Sequence, residues 1–256
     1  MPTSSRDSKF MLVFLGETPG VRPLRKNPRK SIKIVIKNKI LGVKYIMSII
    51  KSHNITLYGK TKDYSITLCP LCDDHLPFLY KWNADPVILY WMDGGEIDLD
   101  NIDTQPQNVN TEAVGNMYGN VSQNAYCFLI KVNDIPIGEC WLQKMNFQEV
   151  IAHYPNLDIR RIDMMIGEKD WWNKGIGTAF VGMLTDFAFV NEKADIVFNF
   201  PADYNIRSKK VFEKNGYKPT TSVIFDDPKE NESYHCILTK EDYKPCLTYE
   251  SVNKVM

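Results

Sequence analysis

The chain has 256 residues, enough for one or two domains and one sizeable core. With 44% hydrophobic and 24% charged residues and only 14 Gly and 14 Pro, its composition excludes a fibrous, low-complexity or disulfide-scaffold protein and fits a soluble globular one. Net charge is zero, but residues 1–51 hold 12 Lys or Arg against 2 acids, giving +10, while the rest holds 19 against 29, giving −10.

An acidic body therefore follows a basic leader, residues 1–50. Arg25-Lys-Asn-Pro-Arg-Lys30 and Ile32-Lys-Ile-Val-Ile-Lys37 read either as an arm for nucleic acid or a membrane surface, or as a disordered upstream extension before translation from Met47. Phe10 to Leu15 is too short for a signal peptide core, and Leu41 to Ile50 is broken by Lys44 and too short to span a bilayer. The six cysteines are scattered apart from Cys69-Pro-Leu-Cys72. No second Cys pair or His pair completes a zinc set, so no metal is expected, and free cysteines fit a reducing, cytoplasmic setting.

Regular patterning begins at Tyr64. Tyr64 to Cys69 alternates as a strand and Pro70 ends it. Asp73 or Asp74 is placed to cap a helix reaching Asn83, with Leu76, Leu79, Tyr80 and Trp82 as its apolar set. A short helical piece, Val87 to Trp91, follows Asp85-Pro86, and Met92 to Gly95 reads as a turn. Residues 96–124 are polar with little periodicity, either a helix behind a long loop or a mobile lid. Ala125 to Val132 and Ile135 to Gln143 flank Asn133-Asp134 and predict a hairpin. Phe147 to Leu157 reads as a loop with aromatics.

The next stretch organises the chain. Ile162 to Ile166 is a strand, apolar apart from Asp163, and Lys174-Gly-Ile-Gly177 opens a helix from Thr178 to Phe189. Glycines before a helix let backbone N–H groups approach a ligand, and the first N–H groups of the helix have no internal partner. Strand, Gly-x-Gly and helix together suit an anion such as a phosphate. Beyond it lie a strand from Ala194 to Phe200, and a helix from Asp203 or Asn205 to Asn215 with Ile206, Val211 and Phe212 inward. Asn215-Gly216 signals that helix's end. Tyr217 to Phe225 and Ser233 to Thr239 form a last strand pair around Asp226 to Glu232. This order predicts an α/β (α+β) fold, a mixed, mostly antiparallel central sheet flanked by helices. The domain spans residues 51–245, and 246–256 form a tail.

In order, Ile162-Asp-Met-Met-Ile-Gly-Glu168, Trp172-Asn-Lys-Gly-Ile-Gly-Thr178, Asn205-Ile-Arg-Ser208 and Phe212-Glu-Lys-Asn-Gly-Tyr217 resemble the GNAT family of acetyl-CoA-dependent N-acetyltransferases. The resemblance is closer to the aminoglycoside 6′-N-acetyltransferases and runs from about Tyr64 to Tyr243. It implies acetyl-CoA as cosubstrate, with its diphosphate on the Trp172, Asn173, Lys174, Gly175, Ile176, Gly177 and Thr178 loop. Its pantetheine arm would lie along the strand edge at Met165 and Ile166, held also by Asn205. A backbone N–H near Met164 or Met165 would stabilise the developing oxyanion. Asp163 matches the catalytic aspartate. Trp91, Asp93, Tyr118 and Trp141, with Asp163, would line the acceptor site, and Asp98, Asp100, Asp103 and Glu112 would add negative field. The expected partner is a small-molecule amine, with no nucleic acid or membrane for the folded domain, in a monomer or homodimer.

Two positions depart from the family pattern. An acid expected to meet the aminoglycoside is replaced by Phe200. A Tyr expected to protonate the leaving thiolate is replaced by Phe212, leaving Tyr204 or water. Other readings are a siderophore-type or other small-amine acyltransferase, and a non-catalytic acyl-CoA-binding module.

Overall fold

The computed structural model describes residues 48–93, 108–226, 233–245 and 250–251, all but Ser48 within one compact unit, Ile49–Met256. Leader residues 1–47, Asp98, Asp100, Asp103 and the turn beyond Asp93 lie outside the described residues.

Among the described residues nine strands form one sheet: β1 (Leu57–Lys60), β2 (Ser65–Pro70), β3 (Ala125–Val132), β4 (Ile135–Lys144), β5 (Ile159–Ile166), β6 (Ile196–Asn199), β7 (Lys218–Pro219), β8 (Cys236–Thr239) and β9 (Glu250–Ser251). Their order is β7-β8-β6-β5-β4-β3-β2-β1-β9. Every neighbouring pair is antiparallel except β5 and β6. The expected mixed, mostly antiparallel sheet is therefore the observed one.

Among the described residues six α-helices accompany it: α1 (Leu76–Asn83), α2 (Pro86–Asp93), α3 (Thr111–Val121), α4 (Gln148–His153), α5 (Ile176–Asp186) and α6 (Ile206–Lys214). On one sheet face α5 packs Phe180, Val181 and Leu184 against Phe128, Ile130, Leu142 and Ile162. On the other, α1 and α3 bring Leu79, Trp82 and Tyr118 onto Cys127, Leu129, Trp141 and Met165. Alternating residues of β3, β4 and β5 serve the two cores because strand side chains alternate between faces. Burial on both faces explains why these strands read as nearly continuous apolar runs.

The β3–β4 hairpin turns at Asn133 and Asp134, both with positive φ (48° and 65°), as its two-residue turn requires. The pairing slips register between Ile130 and Lys131 of β3, which leaves Ile137 of β4 as a bulge. Beside it, Gly138 is fixed by contact: a Cβ there would lie 2.1 Å from the Met165 carbonyl oxygen.

Several expectations need correction. β1 carries no strong pattern and was not anticipated; its four residues pair with β2. Residues 148–153 are helix, not loop, starting at Phe147 without a side-chain cap. Asp73 does not cap α1; its carboxylate accepts the backbone N–H groups of Ile49 (2.9 Å) and Ile50 (2.8 Å) and pins the incoming chain. α3 resolves the polar stretch in part, capped by Asn110, whose side chain accepts from the Ala113 N–H (3.0 Å). α2 continues through Asp93. Ile206 is 58% exposed, because it is the first residue of α6 and points past the core. The closing strands are much shorter than their apolar runs.

Candidate active site

β5 and β6 pair only at Ile159 with Ile196 and at Arg160 with Val197. Past that point they splay, and Asn199 stands in the gap: its Oδ1 accepts the Ile162 N–H at 2.8 Å. Its Nδ2 is buried and has no partner. From Asp163 to Ile166, β5 is paired with β4 alone. Its other edge opens into a cleft of about 380 Å³.

The cleft is walled by Met164, Met165 and Ile166 of β5, by the loop into α5, by α6 and by Ile88, Trp91 and Met92 of α2. The loop holds its shape locally. Trp172 Nε1 donates to the Ile166 carbonyl at 2.8 Å, folding the indole back on the strand end. Asn173 (φ 60°) and Gly175 (φ 76°) take left-handed conformations, and Gly175 is the residue just before α5. A Cβ on Gly177 would meet Val211 at 3.3 Å, so glycine lets α6 approach the start of α5. Ile176 and its successors bury α5 almost all round, aiming its N-terminal N–H groups at the cleft.

Of the ten cofactor-binding residues expected from the sequence, nine line this one cleft: Met165, Ile166, Trp172, Asn173, Gly175, Ile176, Gly177, Thr178 and Asn205. Lys174 does not; its ammonium sits over the Trp171 ring, 4.9 Å from the centroid. Asn205 caps α6, one of the two starts the sequence allows, and makes a second bond that the sequence does not show. Its Oδ1 caps α6 at Ser208 N (3.1 Å) and its Nδ2 donates to the Trp91 carbonyl (2.9 Å). Tyr204 OH likewise donates to the Tyr90 carbonyl (3.1 Å), so the end of α2 is tied to the start of α6. Trp91, expected on the acceptor side, lines this same cleft from α2. Phe212 is 2% exposed and packs on Tyr217.

Asp163 lies one residue from Met164 of the cleft wall, opposite Trp141 of β4. Its Oδ2 accepts from Arg161 Nε (2.9 Å) and Gln143 Nε2 (2.6 Å). The side chain keeps 19% exposure. Arg161 is itself held between aromatic rings, 5.4 Å from Phe147 and 5.3 Å from Phe200, and donates to Asn146 Oδ1 (3.0 Å). Phe200, where an acid was expected, thus grips the cation that partners Asp163.

Tyr118 and Trp141 are placed inside, not at a sugar-binding surface: Tyr118 is fully buried and Trp141 5% exposed. The side chain of Asp93 lies outside the described residues. Sequence reasoning missed Glu139. It is buried on the same face as Asp163, accepts from Tyr118 OH (3.3 Å), and leaves Oε2 without a partner. Burial, and then the nearby Asp163 charge, push its carboxyl up to about 8. The only signal was a lone acid in the apolar run Ile135 to Leu142.

The fit of a nucleotide thioester is good: splayed strands leave a backbone edge along the cleft, and a glycine-led helix start lines the opening. Comparison with known proteins agrees. The acetyltransferase (GNAT) domain profile matches residues 65–218. The aminoglycoside N(6′)-acetyltransferase type 1 of Klebsiella pneumoniae is 22% identical over 64% of this chain and 79% of its own. An uncharacterised Bacillus halodurans protein shares the fold (TM-score 0.58, 11% identity, 75% of this chain, 94% of that one). So does an aminoglycoside acetyltransferase, AAC(6′)-Ib, solved with coenzyme A and kanamycin (TM-score 0.52, 18% identity, 70% and 96%). The chain belongs to the GNAT acetyltransferase family and is an acetyl-CoA-dependent N-acetyltransferase.

Proposed function

We propose that the enzyme acetylates a primary amine of a small cationic acceptor, the 6′-amine of an aminoglycoside, with Asp163 receiving the amine's proton. The observation that carries this reading is the position of Asp163: a part-exposed carboxylate with Oδ1 uncommitted, beside the strand edge that walls the cofactor cleft. Acetyl transfer forms a C–N bond and breaks a C–S bond; starting from the ammonium, nitrogen loses two protons, one passed through Asp163 to solvent and one balancing the proton that the leaving thiolate takes up. An ammonium has no lone pair, so the amine must lose a proton before or as it attacks. Arg161 and Gln143 fix Oδ2, which orients Oδ1 toward the amine. Backbone N–H at Met164 or Met165 serves the carbonyl oxygen as charge develops there. The OH of Tyr204 is committed to the Tyr90 carbonyl and Phe212 has no proton to give, which leaves water to protonate the thiolate.

The Klebsiella relative's name supports the aminoglycoside assignment. A second reading, a siderophore-type hydroxylamine or another small amine, is favoured by one specific feature. Phe147 and Phe200 hold Arg161 against Asp163, so the carboxylate that a polycation would seek is already partly neutralised. The test is thiol release from acetyl-CoA with kanamycin, tobramycin, simple primary amines and alkyl hydroxylamines. Saturable release with the aminoglycosides at micromolar KM, and a product bearing one acetyl group at the 6′ nitrogen, is the expected result. Turnover confined to hydroxylamines or small amines would replace the first reading by the second.

A further inference from the structure

The cleft has a basic wall that the diphosphate does not account for. Arg207, Lys210 and Lys214 all line it from α6. Their spacing, three and then four residues, puts them on one helix face. Among the described residues no carboxylate pairs with any of the three, whereas Lys81, Arg160, Arg161, Lys169, Lys209 and Lys218 each have one. The contrast is sharp along α6 itself: Lys209, beside Lys210, bonds Asp203 and leans on the Tyr234 ring (4.9 Å). Like charges at this spacing destabilise a helix unless an anion joins them. The chain beyond residue 51 is acidic on balance, so three cations lining one cleft from one helix face stand out.

Arg207 is also prepared for a ligand. Its guanidinium lies 4.8 Å from the ring centroids of both Trp91 and Trp172. Stacking orders the fork while leaving its N–H edge for hydrogen bonds, and a planar fork suits a phosphate.

The start of α5 supplies backbone donors for one diphosphate. Coenzyme A carries a further dianionic group, the 3′-phosphate on its ribose. We propose that Arg207, Lys210 and Lys214 read this 3′-phosphate, so that the enzyme selects coenzyme A over carriers that share its thioester arm and diphosphate but lack that group. The inference rests on the cofactor reading of the cleft. It makes α6 the specificity wall and the α5 loop the general anion site.

Calorimetric titration with coenzyme A and with 3′-dephospho-coenzyme A tests it without any knowledge of the acceptor. The wild-type protein should bind coenzyme A at least about tenfold more tightly, the scale of one or two charge-assisted hydrogen bonds. In Lys210→Ala/Lys214→Ala the preference should shrink to about twofold or less, through loss of affinity for coenzyme A with far less change for the dephospho form. Arg207→Lys should lose part of the preference, since a lysine keeps the charge and not the fork. Equal affinity of the wild type for both carriers overturns the inference while leaving the cleft reading intact. So does an equal loss for both carriers in the double variant, which would assign the lysines to the diphosphate. Binding of neither carrier by the folded wild type would defeat the cleft reading, and the inference with it.

Discussion

The two flanks of β5 meet their ligands by opposite means. On the cleft flank the protein presents open groups: a strand edge past Arg160, the N–H groups at the start of α5, and three cations of α6 that meet no carboxylate among the described residues. On the acceptor flank the charges are already matched. Asp163 has Arg161, and Arg161 has two phenylalanine rings and Asn146. An open set of donors binds a fixed, highly charged cosubstrate. On the proposed reading, a paired carboxylate has a weaker electrostatic task, orienting one amine and taking one proton.

The division depends first on how closely β4 and β5 approach. Gly138→Ala would force a Cβ against the Met165 carbonyl, and backbone cannot yield as a side-chain tip does. A loss of about 3–4 kcal/mol is expected, or failure to fold, with coenzyme A affinity falling in whatever remains folded. Urea denaturation and titration measure the two effects. A change under ~1 kcal/mol would show that the strands separate easily.

The buried acid behind Asp163 gives the next largest effect. Glu139 ionises near 8 in the folded chain and near its ordinary 4.5 when unfolded. The folded state therefore holds the extra proton, and its contribution is full below about 4.5 and lost as pH rises toward 8. Wild-type stability should decline across that window by up to ~1.4 kcal/mol per pH unit from this group. Glu139→Gln should flatten the decline, so its advantage over wild type grows from pH 5 to pH 8 in paired urea melts. Parallel curves would mean that Glu139 is already ionised in the folded protein.

A smaller effect belongs to the tie between α2 and α6. Asn205→Ala removes both a helix cap and the bond to the Trp91 carbonyl. A cost of about 1–2 kcal/mol is expected, with a several-fold rise in KM for acetyl-CoA. Asn205→Asp should keep the cap and lose only the donor, recovering about half of the stability. Equal losses in the two variants would assign the whole effect to the tie.

Sequence carried the cofactor flank well because that flank is local. Strand, loop and helix run without interruption from Ile162, and glycines, the strand-ending carbonyl and the helix start are neighbours in the chain. Asn205 comes from farther on, but its capping pattern marked it. The acceptor flank is assembled from separated pieces, and pattern reading lost it. Glu139 is a single acid in a strand whose burial on both faces hides alternation, and Tyr118 reaches it from 21 residues away. Phe200 was recognised as a departure, but its hold on Arg161 needs β5, β6 and the Phe147 loop together. Helix α4 escaped because its six residues begin at an aromatic with no capping side chain. Tyr118 and Trp141 looked available for a sugar because composition gives aromatics no depth.

Asp163→Asn separates the two flanks in one experiment. Turnover with a saturating amine and binding of coenzyme A are measured on the same preparation. If Asp163 receives the proton, kcat falls by about 10²-fold or more while the coenzyme A dissociation constant moves less than about threefold. Unchanged turnover would contradict the account by removing the carboxylate from the reaction.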